Sequence, residues 1–307
     1  MEHTHSHTHS HSHHHHHGGH GGEVSSGLKA AFWLNFLFAL AEIVGGILTN
    51  SYAILSDALH DLGDTAAITM SFFLEKMALK KRDQNYTYGY KRLSLLAGFL
   101  STIVLLAGSL GIMAGAVIKT IQPGKVDSEG MFVFAIVGLA ANGIAFLRME
   151  KTEKANVKAV KLHLLEDVLG WAAVIVGSIL IYFTGFDRID PILSLLISGY
   201  ILFNAFRNLR SFTRIFLQGM PTGIVEEDLK QELQKIPGVQ SLHDMHIWSM
   251  DGVYNIMSVH LVVHQSTTND EIVRIRSAAR EISRKFEIEH DTIEVGFSDE
   301  NCEYVDC

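Results

Sequence analysis

The chain has 307 residues, of which 48% are hydrophobic and 19% are charged. Its formal net charge of -8 comes from the C-terminal part: after residue 220 there are 7 Lys and Arg against 17 Asp and Glu, whereas the first 220 residues hold 18 against 16. This balance excludes a nucleic-acid partner, which requires a basic face, and predicts membrane spans joined to an acidic soluble part.

The N-terminal segment, residues 1–27, has eleven His among its first twenty residues, mostly alternating with Thr and Ser. An expression tag is the alternative for a bare His run, but the alternation favours a native segment. Because the segment lacks an apolar core, we predict neither a cleavable signal peptide nor a packed structure. We expect a disordered cytosolic tail that collects metal weakly.

Six apolar segments are long enough to cross a bilayer, which takes about 20 residues. They are Leu28–Leu48, Tyr52–Leu74, Leu93–Val117, Met131–Leu147, Val160–Phe183 and Ile189–Phe206. Lys and Arg are frequent after the second, fourth and sixth segments and rare in the opposite loops. The positive-inside rule then predicts a six-helix transmembrane domain, residues 28–216, with both termini in the cytosol.

Residues 217–307 show the pattern of a small cytosolic α+β domain in α-β-β-α-β order. The predicted elements are a helix at Val225–Ile236, strands at His243–Met250 and Tyr254–His264, a helix at Asn269–Phe286 and a strand at Asp291–Phe297. Pro237-Gly238 and Asp251-Gly252 provide the turn signals between the first elements. The two cysteines, Cys302 and Cys307, are too few and too close to the end to staple a fold, which suits a reducing compartment.

Ionisable residues inside a membrane span are costly and are therefore candidate functional residues. In the second and fifth segments a His precedes an Asp by four residues: His60 and Asp64, and His163 and Asp167. On a helix this spacing puts each pair on one face, about 5 to 6 Å apart. One such pair would more often be an interhelical hydrogen bond. Two pairs on separate spans predict a tetrahedral His2Asp2 site for zinc, with cadmium, cobalt and nickel also plausible.

Protons and metal ions compete for such a site. Metal binding requires neutral imidazole, and an ordinary His titrates near pH 6.5. This competition is the physical basis for a metal-for-proton exchange.

For three more acidic residues in the predicted spans, a structural role is an alternative to a role in metal binding. Asp57 and Glu42 are either accessories to the metal site or interhelical polar contacts. Asp190-Pro191 predicts the start of the sixth helix, with Asp as its cap and Pro in its first turn.

The stretch Ser-Tyr-Ala-Ile-Leu-Ser-Asp-Ala-Leu-His-Asp-Leu-Gly-Asp, residues 51–64, resembles the second helix of the cation diffusion facilitator family, in its zinc-transporting branch. The likeness extends over residues 28–300 and includes Asn35, Glu42 and Gly45, Tyr88–Arg92, His163–Asp167 and Asp190–Ser194. It implies a homodimer of six-helix subunits in membrane lipid that exchanges divalent metal for protons by alternating access. It also implies transport ligands at His60, Asp64, His163 and Asp167, and a ferredoxin-like cytosolic domain that binds regulatory zinc.

The family's cytosolic metal site falls on His243, in His-Asp-Met-His, and on His260, in Ser-Val-His-Leu. At the last strand many relatives have His or Gln followed by an acidic residue, whereas this chain has Glu294, Val and Gly. The cytosolic site is then either incomplete or completed by Glu294 and Cys302.

Two other classes of protein are less consistent with this pattern. A membrane metal sensor or storage protein has no need for ligands at bilayer depth. An intramembrane metallohydrolase requires an open water position, which a four-ligand site lacks. We therefore predict a metal exporter rather than an enzyme, in a bacterial inner membrane.

Overall fold

The computed structural model of the protein describes residues 24–148 and 155–298. Its six long helices are α1 (Val24–Thr49), α2 (Tyr52–Ala78), α3 (Arg92–Ile121), α4 (Ser128–Arg148), α5 (Ala155–Thr184) and α6 (Ile189–Phe216). The elements that follow are α7 (Glu226–Gln234), β1 (Val239–Ser249), β2 (Asn255–Val263), α8 (Asn269–Lys285) and β3 (Ile288–Phe297). The predicted fold class, a helical membrane bundle followed by an α-β-β-α-β unit, is confirmed.

The described residues form two compact units. The membrane unit contains residues 24–74, 97–148 and 155–210, and the cytosolic unit contains residues 75–96 and 211–298. The connection between α2 and α3 therefore belongs to the cytosolic unit, although it lies between two membrane helices in the sequence.

Within the described residues, α1, α3, α4, α5 and α6 are long and apolar enough to span a membrane. Helix α2 has sufficient length, with 27 residues, but Asp57, Asp61 and Asp64 reduce its hydropathy. Only Asn50 and Ser51 separate α2 from α1, so α2 turns back directly after a spanning helix. We therefore count α2 as the sixth span, whose acids are tolerated because they face protein rather than lipid.

Helix α6 is longer than its apolar segment. It continues to Phe216 rather than ending at Phe206, and thus contains Arg207, Arg210 and Arg214. The sequence prediction placed these arginines behind the span. Arg is a good helix former, and no Gly or Pro interrupts the chain before Gly219, so the helix extends beyond its apolar part.

Asp190 was predicted to cap α6, and this prediction is wrong. Asp190 lies inside the first turn of α6, and its carboxylate accepts hydrogen bonds from the start of α2. The donors are the Ser51 hydroxyl at 2.5 Å and the backbone N–H groups of Tyr52 at 2.7 Å and Ala53 at 3.2 Å. A helix start leaves its first N–H groups without intrahelical acceptors, so Asp190 caps α2 from a neighbouring helix.

Trp171 of α5 is the central side chain of the membrane unit. It is fully buried, and its ring centroid lies 6.2 Å from those of both Phe38 in α1 and Phe134 in α4. The ring also covers Gly138 of α4, where a methyl group would lie 2.3 Å from Cε2 of the indole. The absence of a side chain at Gly138 thus allows α4 and α5 to approach closely.

The cytosolic unit is a three-stranded sheet in the order β1-β2-β3. Strand β2 is antiparallel to β1 and parallel to β3, with α8 as the crossover. Alternate residues of β2, such as Met257, Val259 and Leu261, pack against Leu229 of α7 and Ile275 of α8. The other residues of β2 lie on the opposite face, which carries the polar side chains.

Two strands begin earlier than predicted. Strand β1 starts at Val239 instead of His243, and β3 starts at Ile288 instead of Asp291. In β1 two irregularities, at Val239/Ser241 and at His243/His246, interrupt the pairing with β2. A bulge breaks the two-residue alternation on which a strand prediction depends.

Replacing Gly138 by Ala should destabilise the membrane unit by about 1–3 kcal/mol, because the added methyl group overlaps a rigid buried ring. Gly143→Ala is the matched control on the same helix, since no described atom lies within 4 Å of a methyl group there. We expect a lower melting temperature for the first variant only, measured on protein purified in detergent. Equal melting temperatures for the two variants would contradict the packing described.

Candidate functional site

The first half of α2 presents a row of polar side chains to the interior of the membrane unit. Nε2 of His60 lies 3.8 Å from Oδ2 of Asp64, as the four-residue spacing predicts. These two side chains are 22% and 29% exposed, whereas Asp57 and Asp61 are buried. The side chains of the pair are thus more exposed than those of its two acidic neighbours.

Helix α5 carries the second predicted pair. Asp167 is buried, with 7% of its surface exposed. His163 lies one helical turn before it on α5, but the side chain of His163 falls outside the part of the chain that is described. The position of this ligand is thus given by its helix alone.

The side chain of Asp57 in α2 approaches α5 at Gly170. A methyl group on Gly170 would lie 3.8 Å from Oδ1 of Asp57, so this carboxylate lies against the backbone of α5. Successive spans alternate in direction, which makes α2 and α5 antiparallel. His60 lies three residues after Asp57 on α2, and Asp167 lies three residues before Gly170 on α5. In each helix this is about 4.5 Å along the axis. One further turn leads to the other member of each pair, so we expect the two pairs at matching depth.

Convergence of the four predicted ligands is not seen directly. Within residues 24–148 and 155–298, no three His, Cys, Asp or Glu side chains come close enough to hold a metal ion. The structure brings His60 and Asp64 together on α2 and places Asp167 and His163 on α5. The complete four-ligand site stays a prediction.

Glu42 of α1 is fully buried. Neither of its carboxylate oxygens has a hydrogen-bond partner among the described residues. The acids that act on it electrostatically are Asp61, Asp57 and Asp167. An interhelical polar contact depends on a hydrogen bond, and the described part of the chain provides none for Glu42.

Three predicted ligands of the cytosolic unit lie side by side across the sheet. His243 pairs with His260, which in turn pairs with Glu294 of β3. Nε2 of His260 lies 3.0 Å from Oε2 of Glu294, and the two imidazole centroids are 5.3 Å apart. Nε2 of His243 is buried and has no hydrogen-bond partner in the described part of the chain. Cys302, the fourth predicted ligand, lies outside the described residues.

Asp244 belongs to this cluster, and the sequence analysis did not identify it. It lies in the bulge between His243 and His246, with a φ of 48°. This left-handed conformation is uncommon outside glycine, although Asp tolerates it. The Asp244 carboxylate lies 2.7 Å from Nε2 of His246 and 3.7 Å from Nε2 of His260. An acid placed between two histidines in His-Asp-Met-His was the available sequence signal.

The connection between α2 and α3 is folded onto the cytosolic sheet. Nζ of Lys91 lies 3.8 Å from the ring centroid of Tyr254, at the start of the β2 hairpin. Within the connection the Tyr90 hydroxyl donates to Asp83 at 2.6 Å. This hydrogen bond is the main reason that the pKa of Asp83 is lowered below its ordinary value. The connection is thus an ordered part of the cytosolic unit.

Comparisons with known proteins match both units. A sequence profile described as the cation efflux transmembrane domain matches residues 28–217. A second, described as the cytoplasmic domain of cation efflux proteins, matches residues 221–295.

Similar curated proteins cover nearly the whole chain. The metal cation efflux system protein CzcD of Cupriavidus metallidurans is 34% identical, over 94% of this chain and 90% of the relative. The zinc transporter ZitB of Pectobacterium atrosepticum is 32% identical, over 91% and 89%. A Bacillus subtilis protein named cadmium, cobalt and zinc/H(+)-K(+) antiporter is 33% identical, over 84% of each chain.

Proposed function

Because the chain belongs to the cation efflux family, the cation diffusion facilitators, we propose that this integral membrane protein exports zinc in exchange for protons. Cadmium and cobalt are the related ions we expect it to carry, in line with the names of its relatives. The family is one of transporters rather than enzymes. The observation that supports the proposal is the approach of Asp57 to Gly170, where a methyl group would lie 3.8 Å from Oδ1 of Asp57. Antiparallel helices that meet at this point would carry the two His–Asp pairs at matching depth.

The proposed ligands of the transported ion are His60, Asp64, His163 and Asp167. Two imidazole nitrogens and two carboxylate oxygens suit tetrahedral zinc, whereas magnesium and calcium prefer oxygen ligands only. Zinc–ligand bonds of about 2.0–2.2 Å hold tetrahedral ligand atoms about 3.4 Å apart. The His60–Asp64 separation of 3.8 Å is close to this value, so a small side-chain movement suffices on α2.

Exchange follows from the competition of protons and metal for one set of ligands. When the site opens to the cytosol, neutral imidazoles and ionised carboxylates take up zinc. When it opens to a more acidic exterior, protonated imidazoles repel the ion and release it. A site built from two facing helices suits alternating access, because a small change in their packing exposes it to either side.

The orientation and assembly follow the same proposal. Residues 28–216 form the transmembrane domain and residues 217–307 the cytosolic domain, with both termini in the cytosol of a bacterial cell and the protein in its inner membrane. The subunits associate as a homodimer. The His-rich tail, residues 1–27, acts as a weak collector of metal at the cytosolic entrance; it lies outside the described residues except for its last few.

We further propose that the cytosolic sheet holds a regulatory zinc ion on His243, His260 and Glu294, with Cys302 as a possible fourth ligand. The alignment of the three residues across neighbouring strands supports this site. So does the buried Nε2 of His243, which has no hydrogen-bond partner in the described structure. Asp244 lies 3.7 Å from Nε2 of His260 and can orient this imidazole. No three of these side chains are close enough to hold an ion in the described structure, so zinc would have to draw its ligands together.

Asp167→Asn should abolish zinc transport in proteoliposomes and leave the protein folded, because a neutral amide replaces a charged ligand poorly. Glu166→Gln is the matched control: this neighbouring acid is exposed and bonds to the Tyr200 hydroxyl at 2.9 Å. Zinc entry would be followed with an enclosed fluorescent zinc indicator, and folding by size-exclusion chromatography. Wild-type flux in the Asp167→Asn variant would refute the site assignment.

A pH gradient alone should drive zinc across the proteoliposome membrane, and an enclosed pH dye should report protons moving the opposite way. The same vesicles should be tested with a potassium gradient, since one relative is named for both ions. If zinc movement ignores the pH gradient and follows the potassium gradient, protons are not the coupling ion.

His260→Ala should remove one tightly bound zinc ion per chain, because it takes away the central member of the cytosolic cluster. His264→Ala, at an exposed position directly after the same strand, should retain it. Metal content would be measured by atomic emission after dialysis against a weak chelator that strips the tail. Equal zinc content in the two variants would show that the cluster is not a metal site.

A further inference from the structure

We propose that Glu42 of α1 is the proton carrier of the exchange: it holds a proton while the transport site is empty and releases it when metal binds. This inference rests on the proposed function, because it presupposes metal-for-proton exchange. It assigns the proton to a residue outside the ligand set.

The burial of Glu42 is the first observation. Its side chain is fully buried, and both carboxylate oxygens lack a hydrogen-bond partner in the described part of the chain. An ionised carboxylate removed from water without a hydrogen-bond donor or a counter-charge is strongly disfavoured. In the metal-free protein this carboxyl group is therefore expected to be neutral.

The charged groups that act on Glu42 are carboxylates. Asp61 and Asp57 act on it from α2, and Asp167 acts on it from α5. Several carboxylates crowded into a dry interior cannot all be ionised, and the one that lacks any donor takes the proton most readily.

Helix α4 adds no charge at this level of α1. The side chain it presents there is Phe134, whose ring would lie 2.6 Å from a methyl group on Gly45. One turn before Glu42, Phe38 contacts the buried ring of Trp171. The walls next to Glu42 on these sides are thus aromatic, and they keep water away from the carboxyl group.

The depth of Glu42 matches that of the proposed site. Glu42 lies seven residues before the end of α1 at Thr49, or about 10 Å along the axis. On α2, Asp57 and Asp61 lie five and nine residues after the start at Tyr52, or about 7.5 and 13.5 Å. Because a two-residue turn joins α1 to α2, Glu42 lies level with the turn of α2 that leads into His60.

Glu42 acts on the metal through charge rather than through coordination. No hydrogen bond or ion pair of the described residues joins it to a proposed ligand. A divalent ion among the acids compensates their negative charge and permits Glu42 to ionise, so its O–H proton leaves for water. When the ion departs, a proton returns to the carboxylate. By linkage, protonation of Glu42 weakens zinc binding to the same extent that zinc weakens proton binding.

The decisive variant is Glu42→Gln, which keeps the shape of the side chain but cannot exchange a proton. It should still bind zinc, because the ligands remain, but it should release one proton fewer per zinc than wild type. Proton release is read with a pH dye in weakly buffered detergent, and zinc binding by titration calorimetry. In proteoliposomes the stimulation of zinc flux by a pH gradient should fall several-fold. Glu166→Gln, the same chemical change at an exposed acid, should behave as wild type.

Three outcomes would overturn the inference. A wild-type proton count in Glu42→Gln would leave Glu42 without a role in coupling, while the exchange itself stood. Loss of zinc binding in that variant, as expected for Asp167→Asn, would make Glu42 a ligand instead. Absence of any proton movement in wild type would refute the exchange and, with it, the carrier.

If Glu42→Gln fails to fold, Glu42→Asp retains a carboxyl group that is shorter by one methylene. The shorter side chain places the carboxyl group in a different environment, so the pH midpoint of zinc binding should shift while the number of protons released per zinc is retained. An unchanged midpoint would contradict the inference.

Discussion

The cost of burying charge in a bilayer governs the membrane unit. Helix α2 carries Asp57, Asp61 and Asp64 at a depth where lipid offers no solvation. Each must face protein, and the helix must be held so that it cannot rotate toward lipid. Asp190 of α6 supplies this constraint at the end of α2, because its carboxylate binds the hydroxyl of Ser51 and the first backbone N–H groups of α2. The helix that carries these three acids is thus anchored at its first turn by a hydrogen-bonded carboxylate.

The two candidate metal sites differ in how well water can solvate their ligands. The proposed membrane site would place two carboxylates where their charge is energetically costly, so an empty site would favour either a cation or a proton, which is the basis of the proposed exchange. The cytosolic site lies on a sheet face, where Glu294 is 68% exposed and His260 is 18% exposed. Water solvates these groups when metal is absent. A site of this kind can respond to the metal concentration without being tied to proton movement.

The element order and the approach of His60 to Asp64 could be predicted from sequence because both depend on local periodicity. Long apolar runs identify spans, and a four-residue spacing identifies one helix face. The misassigned features depend on distant contacts. Asp190 caps a helix whose first residues lie 137–139 positions away, and nothing in its own neighbourhood reveals this. Asp244 was missed because a bulge breaks the strand alternation, and the isolation of Glu42 depends on how three helices face one another.

The anchoring of α2 by Asp190 also limits how the membrane unit can move. The hydroxyls of Ser56 and Ser198 meet at 2.8 Å further along the same two helices, so α2 and α6 are joined at two levels. Breaking the hydrogen bonds of Asp190 would leave a buried carboxylate without its donors, which is costly. We therefore expect α2 and α6 to rotate together as a rigid pair about the Ser51–Asp190 hydrogen bond. Motion would then be smallest at that end of α2 and largest at the opposite end, with Asp64 travelling farther than Asp57.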